Sequence, residues 1–210
     1  EVGIATGENL GAGYRDVNPL GELPTLELDD GTRVTESLAI CRWLEERHPA
    51  PPLFGRTPQE RAQVIMWFQR IEFEGFHAVA EVLRNSSRAF KDSSLTGPDR
   101  YPQLPELVER GRHRVAQFYA SMNERLSQSD YVAGPFYSFA DISLLCIVDF
   151  GTGTHLNLTT QYGYNTVGDV TSIIDQVVVA DGIEGFAAVE AHELKISLRD
   201  FCSRNIAAAR

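Results

Sequence analysis

The sequence predicts an α+β segment followed by an all-α helical bundle, and three observations carry that prediction. A proline-led alternating run meets a turn near residue 30, apolar residues recur at helical spacing from residue 38 to 126, and a second apolar helix starts behind Ser138. Thr25, Leu26, Glu27 and Leu28 alternate after Pro24, which suits the first position of a strand. Asp29-Asp30-Gly31-Thr32 then reads as a hairpin turn, with a short return strand around Val34. Thr35, Glu36 and Ser37 supply the hydroxyls and the carboxylate that favour a helix start, and Leu38, Ile40, Cys41 and Leu44 repeat at helical spacing up to a stop at Pro49. Closely spaced prolines in 49–55 stop that helix and mark a linker.

Helices follow. Glu60 to Leu83 places Val64, Ile65, Phe68, Ile71, Val79, Val82 and Leu83 in helical recurrence, interrupted at Gly75. Pro105 to Leu126 repeats Leu107, Val115, Phe118, Met122 and Leu126, so the two stretches form a bundle hairpin joined through the Ser, Pro, Gly and Asp of 85–103. Ser138 and Asp141 have the spacing of a capping box, and Tyr137 with Ile142 that of a hydrophobic staple. Behind them Ile142, Leu144, Leu145, Ile147, Val148 and Phe150 are apolar nearly all round, as a buried helix requires. Ser138 and Asp141 are therefore assigned to stability.

The hairpin and its helix also suggest chemistry. A cis Leu23-Pro24 bond turns the Leu23 backbone N–H and C=O outward, where an extended peptide-like ligand pairs with them as a strand would. The Ser37 hydroxyl and the amides at the helix start suit a ligand carboxylate, because unpaired N–H groups and the helix dipole favour an anion. Glu36 adds the charge suited to an α-amino group. Each element alone has a structural reading as well: a trans Leu-Pro step, and a Ser-led helix that is only capped.

NPLGELPTLELDDG followed by ESLAICRWL resembles the amino-terminal domain of the glutathione transferases, and Ser138-Phe139-Ala140-Asp141 resembles the box that opens a buried helix in the family's second, all-helical domain. Gly134-Pro135 stands where the family usually has Gly-Asp. The resemblance implies a truncated thioredoxin-like α/β domain followed by an all-α helical bundle domain. Its divisions are a partial glutathione-binding domain over 1–50, a linker over 51–58, a helical domain over 59–150 and a divergent tail of unknown fold over 151–210. In the family's pattern Leu23, before Pro24, pairs with the cysteinyl part of glutathione, and Glu36 with Ser37 holds the γ-glutamyl end. Trp67, Arg70 and Phe73 are candidates for the cleft of an electrophilic co-substrate. Their other reading is packing, a core Trp and a solvated Arg.

The same comparison sets an expectation about the start of the chain. The family opens with a strand, a helix and a second strand, and its catalytic Tyr, Ser or Cys lies after the first strand or at the start of the first helix. Seventeen residues precede Asn18, against the roughly thirty of a βαβ unit. The expectation is a truncated or misassembled start, with Val2 to Thr6 as the second strand, 7–17 as a loop with a weak helical turn, and the catalytic residue missing. Tyr14 lies in the wrong segment for that role. The resemblance implies glutathione as co-substrate, a small electrophile, a homodimer and a part in detoxification. The alternative is a non-catalytic interaction or dimerisation module of the same fold.

Composition narrows the partners. A net charge of −10 argues against nucleic acid, which wants a basic patch. Cys41, Cys146 and Cys202 sit among apolar residues without paired spacing, which suggests buried thiols in a reducing, cytoplasmic compartment. No apolar run reaches about eighteen residues, so no membrane partner is expected. The five histidines lack ligand spacing and no metal is expected. Past Phe150 the sequence turns rich in Gly, Thr and Asn, with an apolar strand or short helix over 171–180 and weak helical character over 183–201.

Overall fold

The computed structural model describes residues 2–4 and 6–153, so the expected elements at 171–180 and 183–201 lie outside the described residues, as does Cys202. Two compact units form. The first takes Glu1–Leu53 with Arg84–Leu104, and the second takes Phe54–Leu83 with the described residues from Pro105 onward.

In the first unit a 3₁₀ turn, Glu8–Leu10, leads into a short helix α1, Ala12–Arg15. The expected strand at Val2 to Thr6 does not form among the described residues. Local bonds take its backbone groups instead: the Gly3 N–H donates to the Glu8 carboxylate at 2.8 Å, the Gly3 carbonyl accepts from the Thr6 hydroxyl at 2.9 Å and the Glu8 N–H at 3.0 Å, and the Ile4 carbonyl accepts from the Gly7 N–H at 3.0 Å. The hairpin does form. Strand β1, Thr25–Glu27, pairs antiparallel with β2, Arg33–Thr35, in the register Thr25↔Thr35, Leu26↔Val34, Glu27↔Arg33. The Gly31 N–H closes a turn on the Leu28 carbonyl at 2.9 Å, and Gly31 itself has φ 81°, a left-handed conformation that glycine adopts without cost. Asp30 accepts from the Thr32 N–H at 2.9 Å, and that bond holds its carboxyl below the usual range. Helix α2, Ser37–Arg47, follows and buries Ile40, while Leu44 is exposed.

The second unit holds α3, Pro58–Arg70, and most of α4, His77–Ser86, joined without a break by a π-helical segment, Ile71–Phe76. The Gly75 interruption is therefore a change of helical register within one rod. Gly75 lies against the Phe118 ring of α5, Pro105–Gln128, and the π segment also packs on α6, Phe139–Gly153. A π turn widens the helix and leaves its backbone pairing irregular. Arg114 of α5 meets that need by donating to the Phe73 carbonyl, while also pairing with Glu81 at 3.2 Å. At the start of α3, Thr57 and Glu60 form a full capping box and Pro58 takes the first helical position. Val64, Phe68, Ile71, Val79, Val82, Val115, Phe118, Met122, Leu126, Leu144 and Val148 make the core. Ile65, one position out of phase with Val64, is exposed. Phe54 stacks on Phe139 at 4.8 Å and Phe68 lies 5.3 Å from the same ring, so three aromatics fix the start of α6.

Before α6 the two Asp141 oxygens collect three donors: the Val132 N–H at 2.8 Å, the Ser138 N–H at 2.9 Å and the Ser138 hydroxyl at 2.8 Å. The expected box thus forms on its Asp side, with the Ser hydroxyl donating to the carboxylate. Tyr137 meets Tyr131 edge-on at 5.9 Å. Helix α6 is buried almost all round, but Cys146 is exposed and Cys41 only half-buried, which corrects the expectation of buried thiols. Burial still pushes the Cys41 thiol up and keeps it protonated. Among the described residues no helix is long and apolar enough to cross a membrane.

Candidate functional site

The hairpin register decides what comes together. With Thr25 opposite Thr35, the Leu23-Pro24 step before β1 and the Glu36-Ser37 step after β2 leave the sheet at the same end. The Leu23-Pro24 bond is cis. Leu23 is 39% exposed, and its N–H and C=O make no hydrogen bond among the described residues, so both are available to an extended ligand.

The loop that presents Leu23 is held from behind. Asn18, 4% exposed, donates through Nδ2 to the Glu22 carbonyl at 2.8 Å and accepts the Leu20 N–H on Oδ1 at 3.1 Å. The Tyr14 hydroxyl donates to the same Glu22 carbonyl at 2.8 Å and lies 3.0 Å from the Thr25 hydroxyl. Asn9 binds the Gly21 carbonyl at 2.8 Å. Tyr14 is thus a structural strut, and its hydroxyl is committed. Asn18→Ala is expected to cost about 1–3 kcal/mol, because a buried amide and carbonyl lose a partner. Urea unfolding checks this, and Asn18→Asp should recover none of the loss, because its second carboxylate oxygen would face the Glu22 carbonyl in a buried place.

Across the hairpin, Glu36 is the N-cap of α2 with φ 68° and ψ 122°, a conformation that costs a non-glycine residue about 1–3 kcal/mol. The Thr35 and Ser37 hydroxyls and the Glu36 carboxylate are the groups expected to favour this helix start. Instead no side chain caps it, and its first bond runs from the Ile40 N–H to the Glu36 carbonyl at 3.0 Å. The Ser37, Leu38 and Ala39 amides have no intrahelical acceptor, as at any helix start. Beside them the Ser37 side chain is exposed and makes no hydrogen bond among the described residues. A carboxylate placed there meets amides, a hydroxyl and the positive end of the helix dipole. Strain at Glu36 and the use of Asn18 as a strut were not legible in the sequence. The Asn-Pro opening of the motif was the only signal for Asn18.

The three cleft candidates separate. The Trp67 ring is half-buried and carries two guanidinium groups, Arg70 at 5.1 Å and Arg125 at 5.0 Å from its centroid. Phe73, 60% exposed, stacks on His77 at 5.5 Å instead. Trp67 and Arg70 are therefore one contact, and Phe73 belongs to another on the π segment.

Comparison with known proteins bears on this arrangement. The model of the glutathione S-transferase N-terminal domain matches residues 2–47, and that of the glutathione S-transferase C-terminal domain matches 81–167. Glutathione S-transferase F9 of Arabidopsis thaliana is 28% identical over 154 residues, which cover 72% of this chain and 68% of that protein. The crystal structure of a class Gtt2 glutathione S-transferase of Vibrio parahaemolyticus superposes with a TM-score of 0.62 at 28% identity, over 95% of this chain and 84% of that one. Elongation factor 1-gamma of Prunus avium is 28% identical over 138 residues, 66% of this chain and 30% of that protein. The chain belongs to the glutathione transferase family, with a thioredoxin-like segment followed by a helical domain.

Proposed function

We propose that the chain binds glutathione along Leu23 and at the start of α2, and that the bound thiolate is joined to an electrophile. The observation that carries this reading is the hairpin register, which puts a free peptide edge at Leu23 beside the uncapped helix start at Ser37. The cysteinyl peptide group pairs with the Leu23 N–H and C=O. The γ-glutamyl carboxylate takes the Ser37 hydroxyl and the helix amides, and Glu36 faces the α-amino group. In the conjugation the thiolate sulfur bonds to the electrophilic carbon, and the protein's part is to hold that sulfur and favour its ionised form. Leu23, Pro24, Glu36 and Ser37 bind. None of them is assigned the proton-removing role, and Tyr14 is excluded from it by its contacts. Trp67, Arg70 and Phe73 remain the proposed co-substrate contacts, and a cytoplasmic homodimer the proposed setting.

Likeness to elongation factor 1-gamma favours a second reading, in which the same fold serves as a non-catalytic interaction module. A thermal-shift titration with reduced glutathione tests the binding site. At a hundredfold its dissociation constant a ligand of the folded state adds about 2.7 kcal/mol of stability. Ser37→Ala, which removes a hydrogen bond to a charged group worth about 1.5–3 kcal/mol, should weaken binding roughly tenfold or more. No shift with the unaltered chain would sink the site. A shift without conjugation of several electrophiles by the native gene product would favour the module.

A further inference from the structure

The segment Arg84 to Leu104 reverses the charge of the chain around it. It holds four basic side chains, Arg84, Arg88, Lys91 and Arg100, against the two acids Asp92 and Asp99, in a protein of net charge −10. Two of those cations converge on one residue. Arg100 Nη1 donates to the Ser93 Oγ at 2.5 Å, and Arg84 Nη1 donates to the Ser93 carbonyl at 3.3 Å. Neither guanidinium forms an ion pair with a carboxylate among the described residues. Arg84 is half-buried and stacks over the Phe90 ring at 4.8 Å. Burial pulls the Arg84 guanidinium down from its ordinary value, the nearby Glu22 carboxylate offsets part of that, and Glu22 makes no ion pair with it.

The base of the loop is fixed. Gln103 donates to the Arg84 and Ser87 carbonyls at 2.8 and 2.7 Å, and the Leu104 N–H donates to Asn85 Oδ1 at 2.9 Å. Ser94, the neighbouring hydroxyl, is buried and spent on the Pro102 carbonyl at 2.9 Å. Ser93 is half-exposed, and its own hydroxyl serves only as an acceptor for Arg100. A half-buried cation without a carboxylate, and a second cation already on a serine oxygen, describe a receptor for a doubly charged anion on that oxygen.

We propose that Ser93 is a phosphorylation site, with Arg84 and Arg100 as the built-in receptor for its phosphate. In the modifying step Ser93 Oγ attacks the terminal phosphorus of a nucleoside triphosphate and its proton passes to a base of the kinase. The phosphoanhydride bond breaks, and nucleoside diphosphate leaves. The phosphate then brings about two negative charges and three acceptor oxygens between two guanidinium groups. Arg100 is already within bonding distance, and Arg84 needs only to turn from the carbonyl of the same residue. Asp92 and Asp99 oppose the added charge from the flanks, and Glu22 opposes it from the side of Arg84. The two aspartates are exposed and screened, whereas Arg84 is partly withdrawn from water, so the attraction prevails.

The full chain with phosphoserine introduced at position 93 during synthesis tests this. Its melting midpoint at low salt should rise by roughly 3 °C or more over the unmodified chain, and the rise should vanish in Arg84→Gln/Arg100→Gln. Phosphoserine at Ser127, an exposed residue at the end of α5 whose hydroxyl donates to the Glu124 carbonyl, should give no rise. Phosphorus NMR adds a second readout: the phosphate at 93 should ionise at lower pH than that at 127, and the double Gln variant should abolish the difference. An unchanged or lowered midpoint, or a rise that survives the double variant, overturns the proposal. So does an equal rise from inorganic phosphate alone on the unmodified chain, since the arginines would then be a site for free anions.

Discussion

Asp141→Ala is expected to lower the unfolding free energy by about 3–5 kcal/mol, because it leaves the Val132 N–H, the Ser138 N–H and the Ser138 hydroxyl buried without their acceptor. Asp141 is 1% exposed and Val132 fully buried, so water does not replace the lost partner. The effect is also structural, since one side chain ties the loop at 132 to the first turn of α6. Urea unfolding at neutral pH reads the loss directly. Asp141→Asn should cost less, because its Oδ1 still accepts one amide while its NH₂ faces a donor. The pH dependence has a definite sign. Burial pushes the Asp141 carboxyl above its usual range, and the three hydrogen bonds pull back part of that rise. A carboxyl raised in the folded state stabilises fully below its ordinary value, and that contribution is lost as pH rises through the folded value. The margin of the native chain over Asp141→Asn should therefore be widest in acid and narrow toward neutral pH. A margin that widens with pH would show that the hydrogen bonds outweigh the burial.

The hairpin, the helix behind it and both bundle helices were legible because they rest on local rules: alternation, a glycine turn, recurrence at three and four residues, and proline stops. The arrangement of the candidate site residues was legible for the same reason. Leu23-Pro24 and Glu36-Ser37 flank two strands whose pairing follows from the turn between them, so spacing alone brings them to one end of the sheet. What stayed hidden depends on contacts between distant parts of the chain or on backbone shape. Nothing at Glu36 announces φ 68°, and nothing at Thr35 announces that its hydroxyl leaves the helix uncapped. Val2 to Thr6 is expected as a strand only from the order of elements that the family resemblance implies. Yet a strand needs a neighbour, and its backbone closes local turns instead, with the Gly3 and Ile4 carbonyls accepting from the Glu8 and Gly7 N–H groups at 3.0 Å. Glu60 was legible as helical, but the capping box that it closes with Thr57 begins earlier than the apolar recurrence.

Gly75 interrupts the helical recurrence in the sequence, and in the structure it is a packing contact. A Cβ built there would stand 2.7 Å from two atoms of the Phe118 ring, and Phe118 is 2% exposed with Tyr119 at 5.8 Å, so the ring has little room to turn away. Gly75→Val is expected to cost about 3 kcal/mol: helix propensity gives back only a few tenths for a β-branched residue, while overpacking in a dense core costs more. Phe118→Ala alone should cost about 3–5 kcal/mol through the cavity it leaves. The pair should not add. Valine at 75 grows into the space the ring vacates, so the double variant should be more stable than the sum of the two losses by about 1–3 kcal/mol. Denaturant unfolding of the four chains reads that coupling. Simple additivity would mean that the π segment shifts bodily when Gly75 is replaced, and that its register is not held by the ring. A favourable coupling would show that the absence of a side chain at 75 lets Ile71–Phe76 lie against α5, where Arg114 can reach the Phe73 carbonyl. The glycine that breaks the helical pattern in the sequence would then be what holds the π segment in place.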